Sequence, residues 1–151
     1  MDILFVCTGN TCRSPMAQAI AEDVFARAGI TARCASAGVA AAAASPASDG
    51  AQAAAAAHGL RLNAHLSQPV TDVNLNTAGL ALTMTVFHRD RIVELYPQHE
   101  NKVHTIYNYV RGENCDVPDP YGGGAEEYRT CFETLRGLIE QLAEKILNET
   151  G

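Results

Sequence analysis

A thiol and a guanidinium, Cys7 and Arg13, form a Cys-x5-Arg pattern near the start of the chain. The apolar run Ile3 to Val6 predicts a buried strand before the pattern. Ser14 and Pro15 predict a helix after it, because Ser is a favoured N-cap and Pro a favoured first helical residue. A strand, a tight polar loop and a helix N-terminus direct backbone N–H groups at an anion. Because this setting also favours a thiolate nucleophile, the pattern predicts phosphoryl transfer to sulfur.

The loop offers a complete set of groups for holding a phosphoryl group. Its amides can form a cup for three oxygens, Arg13 can hold two of them in a bidentate fork, and the Ser14 hydroxyl can donate to the sulfur. The alternative, a buried Cys before an ordinary βα loop, is disfavoured by the flanking strand and helix signals. The predicted phosphate-binding residues are Thr8, Gly9, Asn10, Thr11, Cys12, Arg13 and Ser14.

A proton donor for the leaving group is predicted at Asp119, which lies between two prolines. Pro120 holds Asp119 in an extended conformation, and the glycines after Tyr121 allow a close approach to a ligand. The alternative is a simple Asp-Pro turn. Asp116 is a rival acid without the rigid frame. Tyr121 would wall the substrate entrance, or else be a half-buried loop aromatic.

Length and charge limit the possible functions. The 151 residues predict one domain, 1–151, with a substantial core. A net charge of -6 argues against a nucleic-acid binder, since no basic stripe exists to neutralise phosphates. A local positive field at one cup can still bind phosphorylated proteins or peptides.

Cysteine usage and hydropathy predict the compartment. The sequence shows neither a signal-peptide pattern nor an apolar run of membrane-spanning length. The five cysteines lack zinc-ligand spacing, so they are interpreted as thiols in a reducing cytoplasm. We therefore expect a cytoplasmic monomer that binds neither nucleic acid nor membranes and needs no metal or cofactor.

Periodicity predicts strands alternating with helices, and hence an α/β fold with parallel strands. Ligands bind at the carboxyl ends of the strands in such sheets. The predicted strands are residues 3–6, 31–36, 79–84 and 102–106. The predicted helices are residues 14–28, 46–58, 72–77, 87–95 and 125–147.

The motifs together resemble the low-molecular-weight protein tyrosine phosphatase family over essentially the whole chain. The resemblance implies a three-layer sandwich: a central four-stranded parallel sheet with helices on both faces. The matching residues are Val6 to Ala17, Ser36-Ala37-Gly38, His65, Met84 and Asp119-Pro120-Tyr121.

The resemblance also implies roles for single residues. Cys7 would be the nucleophile, Arg13 the phosphate clamp, Ser14 the group that tunes the thiolate, and Asp119 first acid and then base. Supporting roles fall to Asn10, Ser36 and His65, with Asn10 holding the loop through hydrogen bonds to the other two.

Cys12, inside the same loop, has two interpretations. It is a small apolar filler, or it is a resolving thiol that traps oxidised Cys7 as a disulfide.

Within the family the sequence is most similar to the protein-arginine phosphatase branch. Thr11 stands where tyrosine-specific members typically carry a bulky Ile, so it and Tyr121 are the predicted substrate-selecting residues. Gly122 and the Ala40–Ala44 loop supply no aromatic to stack on a phosphotyrosine ring. The chain departs from the branch at Tyr121, where Phe is frequent, and at Gly79, where Asp is frequent.

Three alternatives stay open. A tyrosine phosphatase of the same family is the main one. An arsenate reductase would need further cysteines after the third strand, but residues 82–92 contain none. A phosphate-binding module without turnover would not need Asp119. Cys34, Cys115 and Cys131 receive no predicted role.

Overall fold

A four-stranded parallel sheet forms the centre of the molecule in a computed structural model, which describes residues 1–42 and 44–150. The strands are β1 (Asp2–Cys7), β2 (Arg33–Gly38), β3 (Leu80–Thr83) and β4 (Val103–Thr105), in the order β2-β1-β3-β4. Cys7 ends β1 opposite Gly38, and Val6 pairs with Thr83. The nucleophile predicted at Cys7 therefore lies at the carboxyl edge of a central strand.

Helices cover both faces of the sheet. They are α1 (Arg13–Ala28), α2 (Asp49–Ala57), α3 (Asp72–Thr77), α4 (Val86–Leu95), α5 (Ile106–Arg111) and α6 (Ala125–Thr150), with a 3₁₀ helix at Pro97–Lys102. One core includes Phe5, Met16 and Phe132, and joins the sheet to α1, α2 and α6. The other includes Leu4, Leu75 and Ile92, and joins the opposite face to α3 and α4. The predicted three-layer α/β fold is confirmed.

The predicted start of the first helix was wrong by one residue. The helix begins at Arg13 with Cys12 as its N-cap, and Cys12 makes no side-chain capping bond. The Ser14 hydroxyl instead lies 2.9 Å from Cys7 Sγ, inside the loop. Because the first helical N–H groups have no intrahelical acceptor, Pro15 is still accommodated in the first turn.

Other boundaries differ by a few residues. The second strand lies two residues later than predicted, and the second helix begins at Asp49 because Ser48 caps it by accepting from Ala51 N–H at 3.2 Å. Helix α5 and the 3₁₀ helix were not predicted. The Ala40–Ala44 loop falls partly outside the described residues, at position 43.

Within residues 1–42 and 44–150, no helix has the length and apolar character needed to cross a bilayer.

Candidate active site

The loop after β1 has its carbonyl groups turned outward. The carbonyl oxygens of Cys7, Thr8, Asn10, Thr11 and Cys12 accept hydrogen bonds from Val39, Ala40, His65, Ser48 and Met16, respectively. In a planar trans peptide the N–H of the next residue points the opposite way. The amides of residues 8, 9, 11, 12 and 13 therefore point away from these carbonyl partners, an orientation that a phosphate-binding cup requires.

Asn10 fixes the shape of this loop from a fully buried position. Its φ of 56° is left-handed, a conformation that Asn tolerates better than most residues. Its side chain donates to Ser14 Oγ at 2.8 Å and accepts from Gln68 N–H at 2.9 Å. The ring nitrogen Nε2 of His65 donates to the Asn10 carbonyl at 2.7 Å. Asn10 therefore makes the predicted contact with His65.

The expected bond between Asn10 and Ser36 was wrong. The Ser36 hydroxyl donates to Gln18 Oε1 at 2.8 Å, and the Ser36 carbonyl accepts from Gln68 Nε2 at 3.0 Å. Ser36 thus supports the loop through Gln68, whose N–H bonds Asn10. Gln68 was missed because each of these two bonds uses a backbone group, the Gln68 N–H or the Ser36 carbonyl, and backbone groups carry no signal in the sequence.

Cys7 is 2 % exposed and lies next to the Ser14 hydroxyl. Because Asn10 already donates to Ser14 Oγ, the Ser14 proton is left for Cys7 Sγ at 2.9 Å or the Ala37 carbonyl at 3.4 Å. The shorter contact is the one to sulfur. A hydroxyl donor at this distance stabilises a thiolate.

Arg13 lies below the cup and is 5 % exposed. Its Nη1 donates to the Val117 carbonyl at 2.9 Å, and its Nη2 lies 3.6 Å from Asp119 Oδ2. The Asp119 side chain is half-exposed, and its Oδ1 accepts from Tyr121 N–H at 3.0 Å. The segment with the candidate acid is therefore held against the candidate phosphate clamp.

A cavity of about 330 Å³ joins these groups. The rival acid Asp116 instead accepts from Val86 N–H at 2.9 Å, at the start of α4. Tyr121 lies on the cavity wall and is 74 % exposed, as expected for a residue at the entrance. The lining residues are Cys7, Thr8, Gly9, Thr11, Cys12, Arg13, Ala42, Ser45, Asp119 and Tyr121.

The Cys12 side chain contacts two hydroxyl groups, one at the N-cap of α2 and one on α6. Its Sγ lies 3.3 Å from Ser48 Oγ and 3.5 Å from the Tyr128 hydroxyl. The other cysteines differ in setting. Burial raises the pKa of Cys34 and of Cys131 to about 12, whereas Cys115 is exposed.

His88 contacts the loop and was missed by the sequence analysis. Its Nε2 lies 2.8 Å from Thr8 Oγ1, and it is 2 % exposed in the first turn of α4. Burial, reinforced by the charge of Arg13, lowers the pKa of His88 to about 4. The position of His88 just after the third strand was the signal that could have found it, because parallel strands end at one edge.

The chain is similar to known phosphatases over nearly its full length. The family model described as "Low molecular weight phosphotyrosine protein phosphatase" matches residues 2–150. A protein-arginine-phosphatase of Bacillus subtilis is 40% identical over 146 residues, 97% of each chain. The low-molecular-weight protein-tyrosine-phosphatase PtpB of Staphylococcus aureus is 38% identical over 146 residues, 97% of this chain and 99% of PtpB.

A solved structure is also closely similar. It is a cysteine-to-serine variant of the YwlE arginine phosphatase with a phosphorylated active-site serine. It superimposes with a TM-score of 0.95 at 39% identity, covering 97% of this chain and 95% of the other.

Proposed function

Since this chain belongs to the low-molecular-weight phosphotyrosine protein phosphatase family, we propose that it hydrolyses phosphoarginine in proteins through a phosphocysteine intermediate. The observation that carries the substrate assignment is Thr11, a small hydroxyl residue on the cavity wall. Its side chain can hydrogen-bond a guanidinium-type group and leaves no apolar wall against a phenyl ring.

The first step transfers the phosphoryl group to sulfur. The Cys7 thiolate attacks phosphorus in line, the S–P bond forms, and the bond from phosphorus to the leaving nitrogen breaks. Asp119 gives its proton to that nitrogen, so that arginine departs as its guanidinium cation. The inward amides and Arg13 stabilise the charge on the three equatorial oxygens, an effect worth several kcal/mol in comparable donor sites.

The second step releases phosphate. Asp119, now a carboxylate, takes a proton from a water that attacks phosphorus. The S–P bond breaks, and the Ser14 hydroxyl at 2.9 Å from Cys7 Sγ stabilises the departing thiolate. The phosphorylated serine in the YwlE variant supports attack from this position of the loop in a relative.

Phosphotyrosine is the second candidate substrate. Tyr121 is exposed at the cavity entrance, where its ring could stack on a phenyl ring. PtpB, named a protein-tyrosine-phosphatase, is nearly as similar to this chain as the arginine phosphatase is. The choice between phosphoarginine and phosphotyrosine as the substrate therefore rests on Thr11.

The test compares kcat/KM on two peptides of one sequence, one with phosphoarginine and one with phosphotyrosine. We expect the wild type to favour phosphoarginine and Thr11→Ile to shift the ratio toward phosphotyrosine. Thr11→Val is the matched control, because it removes the hydroxyl at nearly constant volume. A wild type that prefers phosphotyrosine, with no change of the ratio in Thr11→Ile, would refute the substrate assignment.

Cys12 is proposed as a redox partner of Cys7. Peroxide oxidises the Cys7 thiolate to a sulfenic acid, the Cys12 thiolate attacks that sulfur with loss of water, and a dithiol later reduces the disulfide. A nucleophile of this kind needs a reducing compartment, which supports a cytoplasmic location. All the proposed groups come from one chain, which supports a monomer.

A further inference from the structure

His88 packs behind the phosphate cup, outside the mechanism above. One ring nitrogen, Nε2, lies 2.8 Å from Thr8 Oγ1. The other, Nδ1, is buried without a hydrogen-bond partner among the residues that the structure describes. His88 is 2 % exposed, so burial disfavours the charged ring, and a proton on the unpaired nitrogen would have no acceptor.

The charges around His88 favour a neutral ring. The ring lies in the first turn of α4, where the helix dipole disfavours a cation. The Arg13 guanidinium adds to that effect, while Asp116 and Asp119 oppose it. Burial decides the balance and lowers the pKa of His88 to about 4. Near neutral pH the imidazole therefore carries one N–H.

The unpaired Nδ1 indicates which of the two ring nitrogens carries the proton. A proton on Nδ1 would leave a buried N–H donor without an acceptor, and orphaned buried donors are rarer than unpaired lone pairs. With the proton on Nε2, the ring donates to Thr8 Oγ1 at 2.8 Å and only a lone pair stays unpaired. The Nε2–H tautomer is therefore favoured.

This tautomer decides what the Thr8 hydroxyl can do. Thr8 Oγ1 accepts from His88, and Arg13 Nη2 also points at it from 3.5 Å. With two donors aimed at the oxygen, the hydroxyl proton must be donated elsewhere. Thr8 lines the 330 Å³ cavity, so a phosphoryl oxygen in the cup is the acceptor within reach.

We infer that His88 is a positioning residue that orients the Thr8 hydroxyl as a side-chain donor to the bound phosphoryl group. The inference rests on the proposed function, and it adds one hydrogen bond to the amides and Arg13. His88 itself touches no substrate, and its effect passes entirely through Thr8.

The first test is independent of turnover. In ¹⁵N NMR spectra of the full chain at about pH 7, we expect His88 to show a protonated Nε2 and an unprotonated Nδ1. The opposite tautomer, or a charged ring, would overturn the inference. On titration with inorganic phosphate, the wild type should bind more tightly than Thr8→Val, and equal affinity would also overturn it.

The second test is a double-mutant cycle on kcat/KM. His88→Leu should lower kcat/KM by about tenfold or more, the loss expected for a hydrogen bond to a charged group. In a Thr8→Val background the same change should have almost no further effect. His88→Gln, whose amide nitrogen can replace Nε2, should recover most of the loss.

Additive losses at His88 and Thr8 would indicate that His88 only supports the fold, and would overturn the inference. If His88→Leu does not fold, the NMR result and the His88→Gln variant still decide the matter. Failure of the proposed function looks different, because the wild type would then prefer phosphotyrosine, or turn over neither phosphopeptide, whatever the tautomer of His88.

Discussion

Gly50→Ala is expected to destabilise the protein through a single steric contact. A Cβ added at Gly50 would lie within 3.0 Å of three carbons of the Tyr128 ring, a separation that real side chains essentially never show. Gly50 is in α2 and Tyr128 in α6, and both residues border the same apolar groove. Tyr128 is 5 % exposed, and its hydroxyl contacts Ser48 Oγ at 3.3 Å and Cys12 Sγ at 3.5 Å, so a shift of the ring would disturb these contacts.

Gly137→Ala is the matched control. Gly137 lies inside α6, and a Cβ there meets nothing within 4 Å. Gly137 lies in a helix interior, where alanine gains about 0.5–1 kcal/mol over glycine. Gly50 is the second residue of α2, where this gain is smaller. The part of the difference due to overpacking at Tyr128 is about 1–3 kcal/mol. For a domain of this size the difference corresponds to about 2–12 °C in Tm.

The assay is thermal and urea unfolding of the two variants and the wild type. Gly137→Ala should unfold above the wild type and Gly50→Ala below Gly137→Ala by the stated margin. Because the Tyr128 hydroxyl lies 3.5 Å from Cys12 Sγ, Gly50→Ala should also lower kcat/KM. Equal stability of the two variants would refute the reasoning, since it would mean that the Tyr128 ring yields without cost.

Four further outcomes are expected. Cys7→Ser should abolish turnover but still bind inorganic phosphate in calorimetry; full activity would contradict the mechanism. Asp119→Asn should lower kcat by about 10²–10⁴-fold, whereas Asp116→Asn, whose amide oxygen can still accept from the Val86 N–H, should stay close to wild type. After peroxide treatment, Cys12→Ala should recover less activity with dithiol than the wild type does; equal recovery would exclude the resolving role. For His88, the pKa of about 4 in the folded state lies below the ordinary 6.5, so only the unfolded chain binds the proton between these values and stability decreases as the pH is lowered. From pH 7.5 to pH 5 this loss is about 2 kcal/mol, and urea unfolding of His88→Gln should show a pH dependence shallower by that amount.

The central chemistry could be predicted because its groups are close in sequence or carry a strong local signal. Cys7 and Arg13 are brought together by one loop, and proline on both sides marks Asp119. These positions lie on the same cavity. Their catalytic roles stay predictions until the variants are measured.

The features that could not be predicted from the sequence depend on short segments or on contacts between distant segments. Helix α5 has six residues, too few to show an apolar period, and it forms where Thr105 caps it by accepting from Asn108 N–H at 3.0 Å. The bond from Arg13 to the Val117 carbonyl has no side-chain signature at the acceptor. The His88–Thr8 pair joins residues that only the sheet order brings together.

The nucleophile and the acid are supported in very different ways. Cys7 ends a strand between two neighbours, while Asp119 lies in a largely exposed segment between α5 and α6. Substitutions at exposed positions usually change stability by no more than about 0.5 kcal/mol. Tyr121 is 74 % exposed on the cavity wall, so substitutions confined to this position would vary the rim of the entrance while leaving the phosphate-binding loop unchanged. Selectivity in this scaffold should be easier to evolve than the reaction itself.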